Sequence, residues 1–219
     1  MTARKKAPAK RTQKRKAKAA PAATVAVGEY AVPQGKVLVL RTCLANMRSP
    51  SGDAGGFRWP ASGPVEAPDW RPTKACGNGL HGWLWGEGDG SLATWDADAK
   101  WLVVEVDADA IVELNGKVKF PRGVVVFSGE RLEACAFLAK RAAGRAIVGG
   151  TATAGDGGTA TAGYRGTATA GDGGELRIRE WDSKANRYRT RVAWVGEGGI
   201  EKGVAYELVN GKFVPRAKR

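Results

Sequence analysis

The sequence predicts a mainly β (α+β) fold. It comprises a small mixed β domain with one helix, a short two-coil β-solenoid and a C-terminal hairpin, behind a disordered basic N-terminal arm. Three observations predict it. Residues 150–173 read GTATAGDG GTATAGYR GTATAGDG, three copies of one eight-residue phrase. Elsewhere apolar residues alternate with the period of a strand, twice around an Asn-Gly pair that signals a hairpin. One stretch, residues 130–143, keeps a helical period instead.

The first twenty residues hold Arg4, Lys5, Lys6, Lys10, Arg11, Lys14, Arg15, Lys16 and Lys18, padded by Ala, Pro, Thr and Gln and without one acid. Of the formal net charge of +13, nine units sit here, so +4 is left for all the rest. No core can be built from such residues, and residues 1–28 read as arm and linker. A block of cations points to a polyanion, nucleic acid or another, held through salt-sensitive contacts without sequence preference. A solvated tail is the plain alternative. A mitochondrial presequence is a third reading, opposed by the excess of Lys over Ser and the lack of an amphipathic period. Ala23 to Val27 is too short for the apolar part of a secretory signal, and no stretch approaches a membrane span. Cys43, Cys76 and Cys135 are odd in number and widely spaced, which suits reduced thiols in a cytoplasmic setting, or a virion-associated one for a phage product.

Residues 29–145 form the β domain. Lys36 to Thr42, KVLVLRT, follows Pro33 and Gly35 as a β-branched strand. Asn46 to Pro64 reads as a loop with a short strand anchored by the aromatics of GFRWP at Gly56 to Pro60. Pro68 and Pro72 exclude a central strand or a helix interior from Val65 to Lys74. Cys76 to Gly86 is the densest cluster of glycine and aromatics and carries the sole histidine, His81. Trp101 to Asp107 is a strand, Ile111 to Phe120 a hairpin around Asn115-Gly116, and Gly123 to Phe127 another apolar strand. The helix of residues 130–143 is expected to bury Leu132, Cys135, Ala136 and Ala139. Ser128 is its N-cap, Glu130 and Glu133 lie early, and Lys140 and Arg141 lie late beside Gly144.

Residues 146–181 are the solenoid. Two phrases make one coil, with Ala152 and Ala154 inside and Thr151 and Thr153 outside, and Gly174 to Trp181 is a terminal phrase that swaps small residues for Leu176 and Ile178. Residues 182–219 follow, with an alternating strand at Tyr188 to Val195 and a hairpin around Asn210-Gly211.

Cys76 and His81 stand five apart around two glycines. The favoured reading is architectural: Cys76, Gly77, Gly79 and His81 shape a tight loop. A metal site needs two more ligands, to be drawn from Cys43, Cys135 and carboxylates. A cysteine nucleophile with a histidine base needs an orienting group such as Asp69, Asp89 or Asn78. No catalytic residue is assigned, Cys76, His81 and Arg41 being the candidates, and no cofactor or metal is expected.

The segments GFRWP, CGNGLHG at Cys76 to Gly82, WLVVEVD, and KVKFPRGVVVFSG from Lys117 to Gly129 resemble an uncharacterised small domain with a Cys-x-x-Gly-[Phe/Leu/Ile]-His signature. That resemblance implies a bacteriophage or actinobacterial setting and a short repeat array downstream, but no activity. The repeat is similar to the Thr-x-Thr, Ala-Gly-Tyr coils of bacterial ice-nucleation proteins, in which outward threonine ladders order water; two coils are too small an array to template ice. A calcium-binding nonapeptide array is opposed by the spacing of eight and by the supply of only Asp156 and Asp172. Arg41 after a strand and His81 in a glycine-rich turn also bear a loose resemblance to ADP-ribosyltransferase-like folds, with Glu105 or Glu197 as the carboxylate. The expected function is a non-enzymatic structural or interaction module. Its arm would hold nucleic acid or another polyanion, and its solenoid edge would serve a protein partner or self-association, with no membrane partner. The alternative is an enzyme or toxin-like protein acting through an ADP-ribosyltransferase-like or Cys/His site around Cys76 and His81.

Overall fold

A computed structural model describes residues 30–50 and 56–217. The basic arm therefore lies outside the described residues. The fold is mainly β with one helix, and its larger sheet does not close into a barrel.

The β domain is one antiparallel sheet of seven strands: β1 (Lys36–Cys43), β2 (Gly63–Glu66), β3 (Leu80–Leu84), β4 (Lys100–Asp107), β5 (Val112–Leu114), β6 (Lys117–Phe120) and β7 (Arg122–Gly129). The spatial order is β2-β7-β4-β1-β3-β6-β5. The central pair, β1 and β4, reads as near-continuous apolar sequence because both faces are covered. Leu38, Leu40, Trp101 and Val103 face the helix α1 (Arg131–Ala139), while Val39, Cys43, Leu102, Val104 and Val106 face Trp59, Val65 and Phe120 on the other side. Eight registered pairs join β1 to β4, from Lys36 opposite Asp107, an ion pair at 2.6 Å, to Cys43 opposite Lys100.

Three local expectations are corrected. GFRWP does not form a strand: it makes one isolated bridge, Arg48 to Arg58, and is anchored by buried Trp59 packed edge-on against Phe57. The Gly63–Glu66 strand straddles the expected end of the loop at Pro64 and the start of the stretch interrupted by Pro68 and Pro72; it is an edge strand, where the missing N–H of Pro64 costs no ladder bond. The helix is shorter than residues 130–143 and is not capped by Ser128. The β7 ladder runs on through Gly129 opposite Trp101, so Ser128 stays in the strand, and Glu130 and Glu133 form a reciprocal capping box. The buried stripe is Ala134, Cys135, Phe137 and Leu138, with Leu132 half exposed, since the large Phe137 and Leu138 turn the helix toward the sheet.

The repeats form β8 (Thr151–Thr153), β9 (Thr159–Ala162), β10 (Thr167–Thr169) and β11 (Glu175–Asp182). β10 pairs in parallel with β8 and β11 with β9, each sixteen residues on, so two phrases make a coil and there are two coils. Ala160, Ala162, Ala168 and Ala170 fill the interior with Leu176 and Ile178, and Thr151, Thr153 and Thr159 are exposed. Thr167 departs from the outward pattern: it is buried and donates to the Thr151 hydroxyl at 3.1 Å.

The far end is closed by β12 (Arg187–Trp194), antiparallel to β11, and by a hairpin of β13 (Tyr206–Val209) and β14 (Lys212–Pro215), of which β13 pairs with β10. Asn210 and Gly211 both have positive φ, the geometry of a two-residue hairpin turn. Tyr206 plugs this end, with the Glu201 N–H donating to its hydroxyl at 2.8 Å.

The middle phrase differs from its neighbours in one dipeptide, Tyr164-Arg165 for Asp-Gly, and that dipeptide docks the solenoid. Tyr164 packs on Trp95 at 5.9 Å, and the Arg165 guanidinium lies 4.9 Å from the Trp95 ring. Arg165 has φ +53°, as Gly157 and Gly173 do in their phrases, a left-handed conformation that costs a non-glycine residue about 1 kcal/mol. The cation–π contact offsets that cost. Trp181 adds a second contact, its Nε1 donating to Asn115 Oδ1 at 3.0 Å. Among the described residues no helix is long and apolar enough to cross a membrane.

Candidate functional site

The β1–β3 ladder has only two registered pairs, Val39 with Leu84 and Leu40 with Trp83. Beyond them the strands part. β3 stays attached to β6, while the chain after β1 folds back through Leu44, Arg48 and the Met47–Trp59 bond. A cavity of about 440 Å³ opens in the gap, lined by Arg41, Phe57, Trp59, Cys76, His81 and Lys117 among others.

Arg41, the sixth residue of β1, enters this gap. Its Nη2 donates to Ser49 Oγ at 3.0 Å, its Nη1 reaches the His81 carbonyl at 3.4 Å, and the guanidinium lies 5.5 Å from the Trp59 ring. Trp59 Nε1 donates to the same Ser49 oxygen at 3.0 Å, which holds the ring against the arginine. Arg41 forms no ion pair among the described residues, and its buried Nε has no hydrogen-bond partner there. Burial lowers its pKa to about 10.

His81 sits in β3, opposite Lys119, and not in the glycine-rich turn that the sequence suggested. The turn ends at Gly79, where β6 supplies a pairing edge and extended backbone takes over. The His81 Nε2 atom is buried and without a partner among the described residues. Burial first, and then the charges of Lys117, Arg41 and Lys119, bring its pKa down to about 4, so the ring is neutral near pH 7. An unfolded histidine titrates near 6.5, so as pH falls the unfolded chain takes the proton first. The stability contributed by neutral His81 is whole above about pH 6.5 and is lost between that pH and about 4. Urea midpoints measured across this range are expected to fall with pH in the parent and to fall less in His81→Gln; equal slopes would remove His81 as the cause.

Residues 75–79 make the other wall. Gly77 and Asn78 both have positive φ, and Lys119, fully buried, reaches under the loop to donate to the carbonyls of Ala75 at 2.9 Å and Gly77 at 3.2 Å. Cys76 is exposed and accepts from Lys117 Nζ at 3.0 Å, a contact that lowers its pKa, whereas burial raises Cys43 to about 11 and Cys135 to about 12. Of the three cysteines, Cys76 is the exposed one, and the neighbouring Lys117 ammonium favours its thiolate form.

The structure thus brings Arg41, Cys76, Gly77, Gly79 and His81 to one cavity. It leaves Cys43 and Cys135 in the cores on opposite faces of the sheet, away from Cys76, and no metal-holding cluster of His, Cys, Asp or Glu occurs among the described residues. Of the acids weighed as orienting groups, Asp69 lines the cavity and Asp89 caps the turn before Ser91. Glu105 accepts from the Tyr30 hydroxyl and borders a separate cavity with Lys36 and Arg122, and Glu197 lies in the turn after β12, so neither proposed carboxylate meets Arg41. Sequence reasoning missed Lys117, Lys119, Ser49 and Trp59. A lysine in the middle of the apolar run KVKF was the available signal for Lys119, because a strand residue there must face a core or a partner.

Comparison with known proteins finds two likenesses. The model of a "Domain of unknown function (DUF7666)" matches residues 37–139, the segment that holds the cavity. The ice nucleation protein InaU of Pantoea ananas is 46% identical over 107 residues, 48% of this chain and 10% of that protein. An ice nucleation protein of Pseudomonas syringae is 46% identical over 110 residues, 49% of this chain and 9% of its own length. One from Xanthomonas campestris pv. translucens is 44% identical over 106 residues, 48% of this chain and 6% of its own. The chain thus spans about a tenth or less of the length of these relatives. No solved structure matches. The chain therefore carries a segment similar to the uncharacterised DUF7666 domain together with repeats similar to those of ice nucleation proteins.

Proposed function

We propose that this chain is a non-enzymatic structural or interaction module whose cationic arm holds nucleic acid or another polyanion, in the cytoplasm or on a virion. The observation that carries the structural reading is the capped second coil. β12 and the β13–β14 hairpin cover β11 and β10, and the corner dipeptide Tyr164-Arg165 docks on Trp95, which suits a rigid spacer and not an array growing from that end. Likeness to ice nucleation proteins supports the same reading, at a size too small to order an ice embryo. β8 and β9 remain as sheet edges with exposed threonines, the surface proposed for a protein partner or self-association.

For the arm, the supporting observation is where positive charge is left uncancelled. Arg177, Arg179 and Arg189 near the solenoid end are paired with Glu175, Glu87 and Asp182, while the nine cations of residues 1–20 have no acid among them. Affinity for mixed-sequence DNA is expected to fall about 10³-fold or more between roughly 50 and 200 mM salt, and to vanish when residues 1–20 are deleted. Salt-insensitive binding, or binding that survives the deletion, would overturn this reading. The phage or prophage setting implied by the Cys-x-x-Gly-Leu-His pattern belongs to the same proposal.

A further inference from the structure

The cavity between β1 and β3 has a composition that packing alone does not require. A guanidinium inside a protein is ordinarily matched by a carboxylate or by a full set of acceptors, since an unmatched buried charge is costly. Arg41 has one hydroxyl, one long contact to a carbonyl and an aromatic face, and its buried Nε–H donates to nothing among the described residues. Lys117, on the wall with Cys76, donates to that thiol and forms no ion pair among the described residues. A third group, His81, is uncharged near neutral pH and holds a buried ring nitrogen without a partner among the described residues. Asp69 is the only carboxylate among the described lining residues, and it accepts from the Asn78 amide at 3.2 Å.

We propose that this cavity binds a small phosphorylated organic molecule of nucleoside monophosphate size, its phosphate held by Arg41 and Lys117. The volume of about 440 Å³ lies in the range of small-ligand sites and exceeds what a lone phosphate fills, so the anion carries a body. Phe57, Pro50 and Leu92 offer that body an apolar wall. Arginine meets phosphate oxygens in a fork, and the Arg41 guanidinium is paired with no carboxylate among the described residues. The site differs in place and partner from the arm: it takes one small ligand, whereas the arm takes a polymer. The two readings stand or fall separately.

The test is calorimetric titration of the full chain with AMP, inorganic phosphate and adenosine, in the parent and in Arg41→Gln and Lys117→Gln. AMP is expected to bind, phosphate to bind more weakly and adenosine not at all, and each substitution to weaken AMP by about tenfold or more. Lys117 lies at the start of a strand near the surface, so its variant carries the test even if Arg41→Gln fails to fold. An independent reading comes from Cys76, which AMP is expected to protect from iodoacetamide by drawing Lys117 away and covering the thiol. Absence of AMP binding at millimolar concentration, adenosine binding as tightly as AMP, or AMP affinity unchanged in Lys117→Gln would each overturn the proposal.

Discussion

Gly82→Ala is expected to destabilise the chain by about 3 kcal/mol or more and to lower its melting temperature by roughly 6–12 °C. The residue is buried at the point where β1 and β3 part. A Cβ there would stand 2.4 Å from Val39 Cγ1 and 2.5 Å from the Leu40 carbonyl oxygen. The valine methyl could rotate away, but the carbonyl belongs to a strand fixed by eight registered pairs to β4 and cannot. Either β3 moves outward, breaking its two pairs to β1, or the central strand shifts and disturbs both cores. Thermal unfolding followed by tryptophan fluorescence measures this, and a melting temperature within about 2 °C of the parent would refute the argument.

Lys119→Met is expected to act on the cavity wall more than on the whole fold. The ammonium donates to two carbonyls and lies 3.5 Å from the Thr73 hydroxyl and 5.7 Å from the centre of the Trp70 ring. Hydrogen bonds from a charged donor contribute about 1.5–3 kcal/mol each, so losing the two shorter ones releases the loop by a few kcal/mol. Global stability should fall by less, because methionine fills the same space without the cost of a buried charge. Hydrogen exchange at residues 77–80 is therefore expected to quicken by about 10- to 100-fold while the urea midpoint moves little. Unchanged exchange there would mean that the turn holds itself through Gly77 and Gly79, and that Lys119 is passive.

Much of the architecture was legible because it is written in short-range chemistry. The sixteen-residue coil follows from counting phrases, and both Asn-Gly hairpins appear, with positive φ at Gly116 in the first and at Asn210 and Gly211 in the second. What failed was local evidence weighed against a distant partner. Gly63 and Pro64 read as the end of a loop until β7 gave them an edge to pair with, where the missing N–H of Pro64 is harmless. Ser128 looked like a cap until the ladder to β4 claimed it. The glycines around His81 looked like one continuous turn until β6 supplied a pairing edge.

The candidate site was legible only as a list of uncommon residues. Cys76, His81 and Arg41 were singled out for their types, and all three line one cavity. Lys117 and Lys119, which add charge to that cavity and hold its wall, lie some forty residues beyond Cys76; the apolar run around Lys119 hints at a buried lysine, but nothing local says which loop it holds.

By itself, then, the sequence determined the elements whose period repeats within a few residues: the coils, the alternating strands, the turns and the charged leader. The tertiary structure alone decided where the ladder between β1 and β3 stops, and hence that a cationic cavity exists. The reason is physical. A strand's alternation is set by its own backbone, but the length over which two strands stay paired depends on what packs against each of them from elsewhere in the chain.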